Sequence, residues 1–248
     1  VGADGNAALD AEEPAIAYNA TAHEFLVVWS ADDVGLDNEF EIFGRRIDAN
    51  GAPIGSEFRI SDLGPDGDAA YDARRPAVAY DPDANEYLVV WEGKNAVPIS
   101  TDGFEIFGQR ISAAGAEVGT NDFQISDLGT GIMFPIQASS IRPDVAYNPV
   151  SHEYLVAWEG DDNIAPLVDD EFEIWGQRLS ETGAEVGTDD FRISALGPDG
   201  NASYSAREAA IAVNTQTGEY LVAFHGDDDT APLVDDEDEV YVQRLSST

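Results

Sequence analysis

Short runs rich in β-branched and aromatic residues recur along the chain, each bounded by Gly, Pro, Asn or Asp, and no segment carries a helical period. Runs of this kind predict strands. The first, Pro14-Ala-Ile-Ala-Tyr18, returns as Pro76-Ala-Val-Ala-Tyr80, Pro143-Asp-Val-Ala-Tyr147 and Ala209-Ala-Ile-Ala-Val213. A second, Phe25-Leu-Val-Val-Trp29, returns as Tyr87-Leu-Val-Val-Trp91, Tyr154-Leu-Val-Ala-Trp158 and Tyr220-Leu-Val-Ala-Phe224. The third, Glu41-Ile-Phe-Gly-Arg-Arg-Ile47, is matched from Glu105, Glu173 and Glu239, and the fourth, Phe58-Arg-Ile-Ser61, only from Phe123 and Phe191.

Four copies of one unit of strands A, B, C and D follow from this repetition. Ala49-Asn-Gly51, Ala114-Gly115 and Thr182-Gly183 lie between C and D, where glycine supplies the positive φ of a hairpin turn, so C and D should pair antiparallel. Asn19 to His23 and Val150 to His152 stand at hairpin length between A and B. The expected fold is all-β: a four-bladed β-propeller of four-stranded antiparallel repeats, with an open solenoid as the competing architecture. One repeat domain is expected over 1–248, with a link at 1–11 and repeats over about 12–73, 74–141, 142–206 and 207–248. The opening residues to Ala11 match Leu196 to Ala206, the link between a D strand and the next A strand, and the chain stops after the fourth C strand. The last blade is therefore expected to lack its outer strand, either because the sequence is cut from a longer one or the blade is plainly three-stranded, or with the edge filled by a partner strand.

The pattern P-x-V-A-Y, E-Y-L-V-V-W, E-I-F-G-Q-R and F-x-I-S resembles the repeat modules of large secreted bacterial β-propeller-like proteins. That resemblance covers nearly the whole chain and implies an extracellular, non-enzymatic module without naming a ligand. The fourth copy departs from it, with Val242 for glycine and Ala209 for proline.

Charge narrows the partners. Against 49 acidic residues stand 12 basic ones, among them a single lysine, Lys94. A field of that sign repels phosphate backbones and anionic lipid, and it attracts cations. No apolar run approaches the roughly 20 residues of a membrane span. Cysteine is absent, which removes disulfides and thiolate chemistry.

Between B and C the copies carry acidic loops, with Asp32, Asp33, Asp37 and Glu39 in the first, Asp161, Asp162, Asp169 and Asp170 in the third, and Asp227, Asp228, Asp235 and Asp236 in the fourth. Two acidic clusters around an apolar bend can offer the six to eight oxygens that calcium takes, so calcium is the expected cofactor, against a plain solvated loop. The Asp-Gly-Asn and Asp-Gly-Asp links read as turns. Arg46, Arg110, Arg178 and Arg244 share one position of strand C beside core residues, where a recurring charge should be buried and paired with a carboxylate as a structural tie between blades.

No Ser/His/Asp spacing, phosphate loop or histidine metal motif appears, and His23 and His152 fall on equivalent hairpin positions. Asn19-Ala-Thr21 and Asn201-Ala-Ser203 are glycosylation sequons. The second copy breaks the pattern with Gly131-Ile-Met-Phe-Pro-Ile136, and Ile132, Met133 and Phe134 are the expected apolar anchors of a partner contact. The expectation from the chain alone is a non-catalytic extracellular structural or adhesive module that associates with copies of itself or other surface proteins, as in a filament. A glycan-binding, lectin-like propeller is the alternative.

Overall fold

The computed structural model describes residues 10–32, 39–65, 68, 70–94, 103–128, 139–162, 164–228 and 237–247. The chain is all-β, in four antiparallel sheets. Sheet 1 holds β1 (Ala11–Asn19), β2 (Glu24–Asp32), β3 (Phe40–Asp48) and β4 (Pro53–Arg59); sheet 2 holds β5 (Asp72–Asp81), β6 (Glu86–Lys94), β7 (Glu105–Ser112) and β8 (Glu117–Gln124). Sheet 3 holds β9 (Ser139–Asn148), β10 (Glu153–Asp161), β11 (Glu173–Ser180) and β12 (Glu185–Arg192), and sheet 4 holds β13 (Ala206–Val213), β14 (Tyr220–Asp227) and β15 (Asp238–Leu245). Each sheet runs in chain order, as hairpin connections require. No helix of the described residues is long and apolar enough to cross a membrane.

The same local chemistry builds every copy. Gly51, Gly115 and Gly183 take φ of 85°, 86° and 83° in the C-to-D hairpins. The A-to-B hairpins close with a left-handed residue at one recurring position, namely His23, Asn85, His152 and Gly218. This is the turn role expected for His23 and His152, and Tyr18 Oη lies 2.9 Å from His23 Nδ1. A bulge interrupts the first strand of every sheet, with Glu13, Arg75, Arg142 and Glu208 at positive φ. Asn19 is fully buried and its amide donates to Asn85 Oδ1 at 3.1 Å, so the first sequon is closed to a glycan.

The chain divides into two compact units, one of 1–97 with 106–124, the other of 98–105 with 125–248. In the first, Leu26, Val28, Ile42 and Ile60 of sheet 1 pack on Tyr87, Val89, Trp91 and Phe107 of sheet 2. In the second, Leu155, Ala157, Ile174 and Ile193 pack on Tyr220, Val222 and Phe224 of sheet 4. Strand alternation thus gives each sheet a leucine face and an aromatic face, and within each unit one sheet's leucine face meets the next sheet's aromatic face.

Candidate functional site

A glutamate stands near the head of the third strand of every sheet, and its surroundings differ from copy to copy. In sheets 1 and 3, Glu41 and Glu173 are 3% and 0% exposed. The end of the D segment supplies each with a serine hydroxyl and a guanidinium: Ser61 and Arg59 donate to Glu41, and Ser194 and Arg192 donate to Glu173. Each serine Oγ also accepts the backbone N–H that follows the glutamate, at 2.7 Å from Ile42 and from Ile174. These two clusters tie C to D. Burial still pushes the Glu41 carboxyl up to about 7, against the opposing pull of Ser61 and Arg59.

Sheet 2 keeps the serine and drops the arginine. Ser126 donates to Glu105, while Gln124 occupies the position of Arg59 and Arg192. As a whole residue Glu105 is half-buried, with its carboxyl in the enclosed part. Burial, opposed by Ser126 and reinforced by the charge of Asp190, pushes its carboxyl up to about 8, so it holds its proton at neutral pH.

Around it stand further acids. Asp190, on the bulge of β12 at φ 39°, accepts the Asp127 N–H on Oδ2 at 2.8 Å, and its own N–H donates to Gln177 Oε1 at 3.0 Å. Burial and then the neighbouring carboxylates raise Asp190 to about 7. Asp127 is exposed, and Asp127, Asp189 and Asp190 each bring a carboxylate oxygen within 4.8 Å of the others. A sister arrangement exists in the first unit, where Asp62 N–H donates to Asp122 Oδ2 at 2.6 Å and burial raises Asp122 to about 8. There the glutamate, Glu41, keeps its arginine. Chemically, the Glu105 group is a neutral carboxylic acid set among carboxyls that open to solvent, able to donate a proton and to hold a cationic centre.

The residues singled out from sequence fall unevenly. In the third copy Asp161, Asp169 and Asp170 bring oxygens within 4.8 Å of one another, and Asp170 N–H donates to Asp161 Oδ2 at 3.0 Å. Asp162 stands apart, accepting the Ile164 N–H at 2.9 Å. Asp32 and Glu39 are buried at 6% and 5% exposure, while Asp33 and Asp37 lie outside the described residues. Asp227 and Asp228 are described, and Asp235 and Asp236 are not; Ile132, Met133 and Phe134 also lie outside. The link residue Asp199 joins Glu171 and Glu173 in another acid group and pairs with Arg192 at 2.7 Å.

The strand C arginines do pair with carboxylates, but these ion pairs lie within their own sheets rather than between blades and are not fully buried: each meets the glutamate that opens or precedes strand B. Arg46 meets Glu24 at 2.6 Å, Arg110 meets Glu86 at 2.5 Å, Arg178 meets Glu153 at 3.7 Å and Arg244 meets Glu219 at 3.3 Å. The serine–glutamate clusters were not singled out from sequence, although their signal was there: a glutamate at the head of C, answered about twenty residues later by serine after the D strand.

No protein-family profile matches the chain, and no curated protein does. Solved structures do. A thermostable family-43 glycoside hydrolase aligns at TM-score 0.57 and 16% identity over 95% of this chain and 72% of its own. A family 117 glycoside hydrolase from Zobellia galactanivorans aligns at 0.58 and 8% identity, over 98% of this chain and 68% of its own. An N-acetylgalactosamine deacetylase from F. plautii aligns at 0.54 and 12% identity, over 96% and 72%. Such likeness assigns the fold: this chain shares the architecture of β-propeller glycoside hydrolases. It also corrects the expectation of a non-catalytic structural, adhesive or filament-forming module and, with it, the reading of the chain as no enzyme. That expectation leaned on the repeat and on the lack of familiar catalytic spacings, whereas repeated sheets of this kind are the framework of glycan-processing enzymes among its structural neighbours.

Proposed function

We propose that the chain is a glycan-processing enzyme, a four-bladed propeller that cleaves glycosidic bonds with Glu105 as proton donor and an acid of the Asp127, Asp189 and Asp190 group as its partner. The observation that carries this reading is the copy-to-copy contrast. Three sheets share one serine–glutamate pair, and only Glu105 has lost the arginine, so that burial, unopposed by a guanidinium, keeps its proton on at neutral pH. Glycoside cleavage needs such a pair, one carboxyl protonated for the leaving oxygen and one ionised. The fold likeness and the acidic field, which suits uncharged or cationic saccharides, agree with it. Secretion, suggested by the repeat, would place the enzyme where polysaccharide is met.

Hydrolysis of a panel of polysaccharides and aryl glycosides tests the proposal. Glu105→Gln should lower turnover by about 10²- to 10⁴-fold, the usual loss for a general acid. Glu41→Gln, in the arginine-clamped sister cluster, should leave turnover intact once the protein is folded. Activity should fall as pH rises through about 8, where Glu105 ionises. Gln124→Arg, restoring the arginine of the other copies, should move that limb to lower pH. Full activity in Glu105→Gln, or no cleavage by the native chain anywhere on the panel, would reject the assignment.

Calcium is proposed as a stabilising ion at Asp161, Asp169 and Asp170. A cation bound only by the folded chain adds about 2.7 kcal/mol at a hundredfold excess over its dissociation constant. The melting midpoint in millimolar calcium should exceed that in chelator at matched ionic strength, and Asp169→Asn with Asp170→Asn should remove the difference. Equal midpoints would leave these carboxylates as a solvated turn.

A further inference from the structure

We propose that Asn201 is the acceptor of an N-linked oligosaccharide, presented on the link from β12 to β13. The same loop occurs twice in the chain with two letters changed. Gly197-Pro-Asp-Gly-Asn-Ala-Ser-Tyr204 repeats Gly64-Pro-Asp-Gly-Asp-Ala-Ala-Tyr71, with Asn201 in place of Asp68 and Ser203 in place of Ala70. Both copies fold alike where they are described. A Cβ on Gly64 would stand 2.1 Å from the Tyr71 ring and one on Gly197 2.2 Å from the Tyr204 ring, so in each link the tyrosine lies across the glycine. In each, the residue at the head of the turn accepts a backbone N–H on its side-chain oxygen: Ala70 N–H donates to Asp68 Oδ1 at 3.1 Å, and Ser203 N–H donates to Asn201 Oδ1 at 3.2 Å. The tyrosine N–H then donates to that residue's carbonyl, at 2.8 Å from Tyr71 and 3.1 Å from Tyr204.

Asparagine and serine therefore add two groups that this turn does not use. An ionised aspartate only accepts, so the turn needs the side-chain oxygen alone, and the Asn201 amide nitrogen is left over. Alanine serves at position 70, and the Ser203 hydroxyl is left over in the same way. Neither Asn201 Nδ2 nor Ser203 Oγ has a hydrogen-bond partner among the described residues, and 201–203 are exposed. The stems of the link are pinned within their own unit. Gly200 N–H donates to the buried Glu171 carboxylate at 2.9 Å, Asp199 pairs with Arg192 at 2.7 Å, and Tyr204 packs on the core of sheets 3 and 4.

The two leftover groups are the two that an Asn-x-Ser sequon contributes, the amide nitrogen as nucleophile and the hydroxyl as the handle by which a transferase holds the asparagine. In the first sequon the fold consumes both. Asn19 donates its amide to Asn85 and accepts the Thr21 and Ala22 N–H groups at 2.9 and 2.8 Å, and Thr21 Oγ1 accepts from Tyr80 Oη at 2.9 Å. At Asn201 the nitrogen is free to attack the anomeric carbon of a polyprenyl-diphosphate-linked oligosaccharide. The C1–N bond forms as the C1–O bond to the diphosphate breaks, the lipid diphosphate departs, and the amide proton passes to a carboxylate of the transferase.

The folded chain, a single-subunit oligosaccharyltransferase and a polyprenyl-diphosphate-linked oligosaccharide make the experiment, read by intact mass and peptide mapping. The native chain should gain the mass of one oligosaccharide, carried on the peptide that holds Asn201. Asn201→Asp and Ser203→Ala, each of which restores the residue of the first unit's link, should abolish the gain. Both should leave the thermal midpoint unchanged, because the sister loop folds with those residues. A native chain that gains no mass would overturn the proposal. So would a gain that survives Asn201→Asp, which would put the oligosaccharide on another residue.

Discussion

The thermal midpoint is expected to fall by on the order of 10 °C as the pH is raised from about 5 to about 9 at constant ionic strength, the reverse of ordinary acid denaturation. Four carboxyls carry the effect. Burial raises Glu41 and Asp190 to about 7 and Glu105 and Asp122 to about 8, from ordinary values of 4.5 for Glu and 3.8 for Asp. Between the ordinary and the raised value the folded chain holds protons that the unfolded chain has released. Stability therefore falls with pH across that window, by about 1.36 kcal/mol per unit for each proton so held. The contribution is complete below about pH 4, and it is gone once the pH has passed 8. Repulsion among the exposed carboxylates has the same sign, so salt must separate the two: screening weakens interactions between exposed charges and reaches buried groups far less. Melts at pH 5, 7 and 9 in low and high salt, with Asp122→Asn beside the native chain, make the test. The slope should persist in high salt and be shallower in Asp122→Asn. A midpoint constant or rising between pH 5 and 9 in high salt would mean that these carboxyls are ionised in the fold.

Repetition made the framework legible. Among the described residues the strands, their hairpins and their order follow from short runs that recur with the same turn residues, and Gly51, Gly115 and Gly183 take the positive φ that their turns demand. The arginine ion pairs were also readable, because a charge repeated beside core residues needs a partner. Site chemistry was less so. Glu105 looks like its three counterparts as a letter, and its difference lies in what surrounds it: a missing arginine that sequence displays, and a degree of burial that it does not. Asp190 sits on a bulge, where burial and neighbouring carboxylates raise its pKa, and an extra residue in one strand is invisible until the register is known. The acidic loops drew attention through their density, yet density does not say which oxygens converge. In the third copy only Asp161, Asp169 and Asp170 do, while Asp162 is spent on a turn.

Gly44→Val is expected to destabilise the first unit by about 3 kcal/mol, the upper range for overpacking a filled interface. The third strand of sheets 1, 2 and 3 carries glycine at Gly44, Gly108 and Gly176, and sheet 4 carries Val242. A Cβ on Gly44 would stand 2.9 Å from Ile60 Cδ1 and 3.1 Å from the Phe58 ring, both brought there by the D segment of the same sheet. On Gly176 it would stand 2.7 Å from Ile193 Cδ1. Sheet 4 has three strands among the described residues, so nothing of that kind lies over Val242, which is 60% exposed. Valine at this position and an F-x-I-S strand beside it should therefore crowd each other. At β15 a fourth strand with Phe and Ile at the usual places is expected to meet the Val242 methyls and to need its side chains to shift. Ile60→Ala should itself cost about 2 to 5 kcal/mol as a large-to-small core change. Combined with Gly44→Val it should cost clearly less than the sum, because the alanine removes the atom the valine strikes. Urea melts of the four proteins decide the matter. Strict additivity would show that the glycine is kept for its backbone rather than for the room it leaves, and sheet 4 would then need another account of Val242.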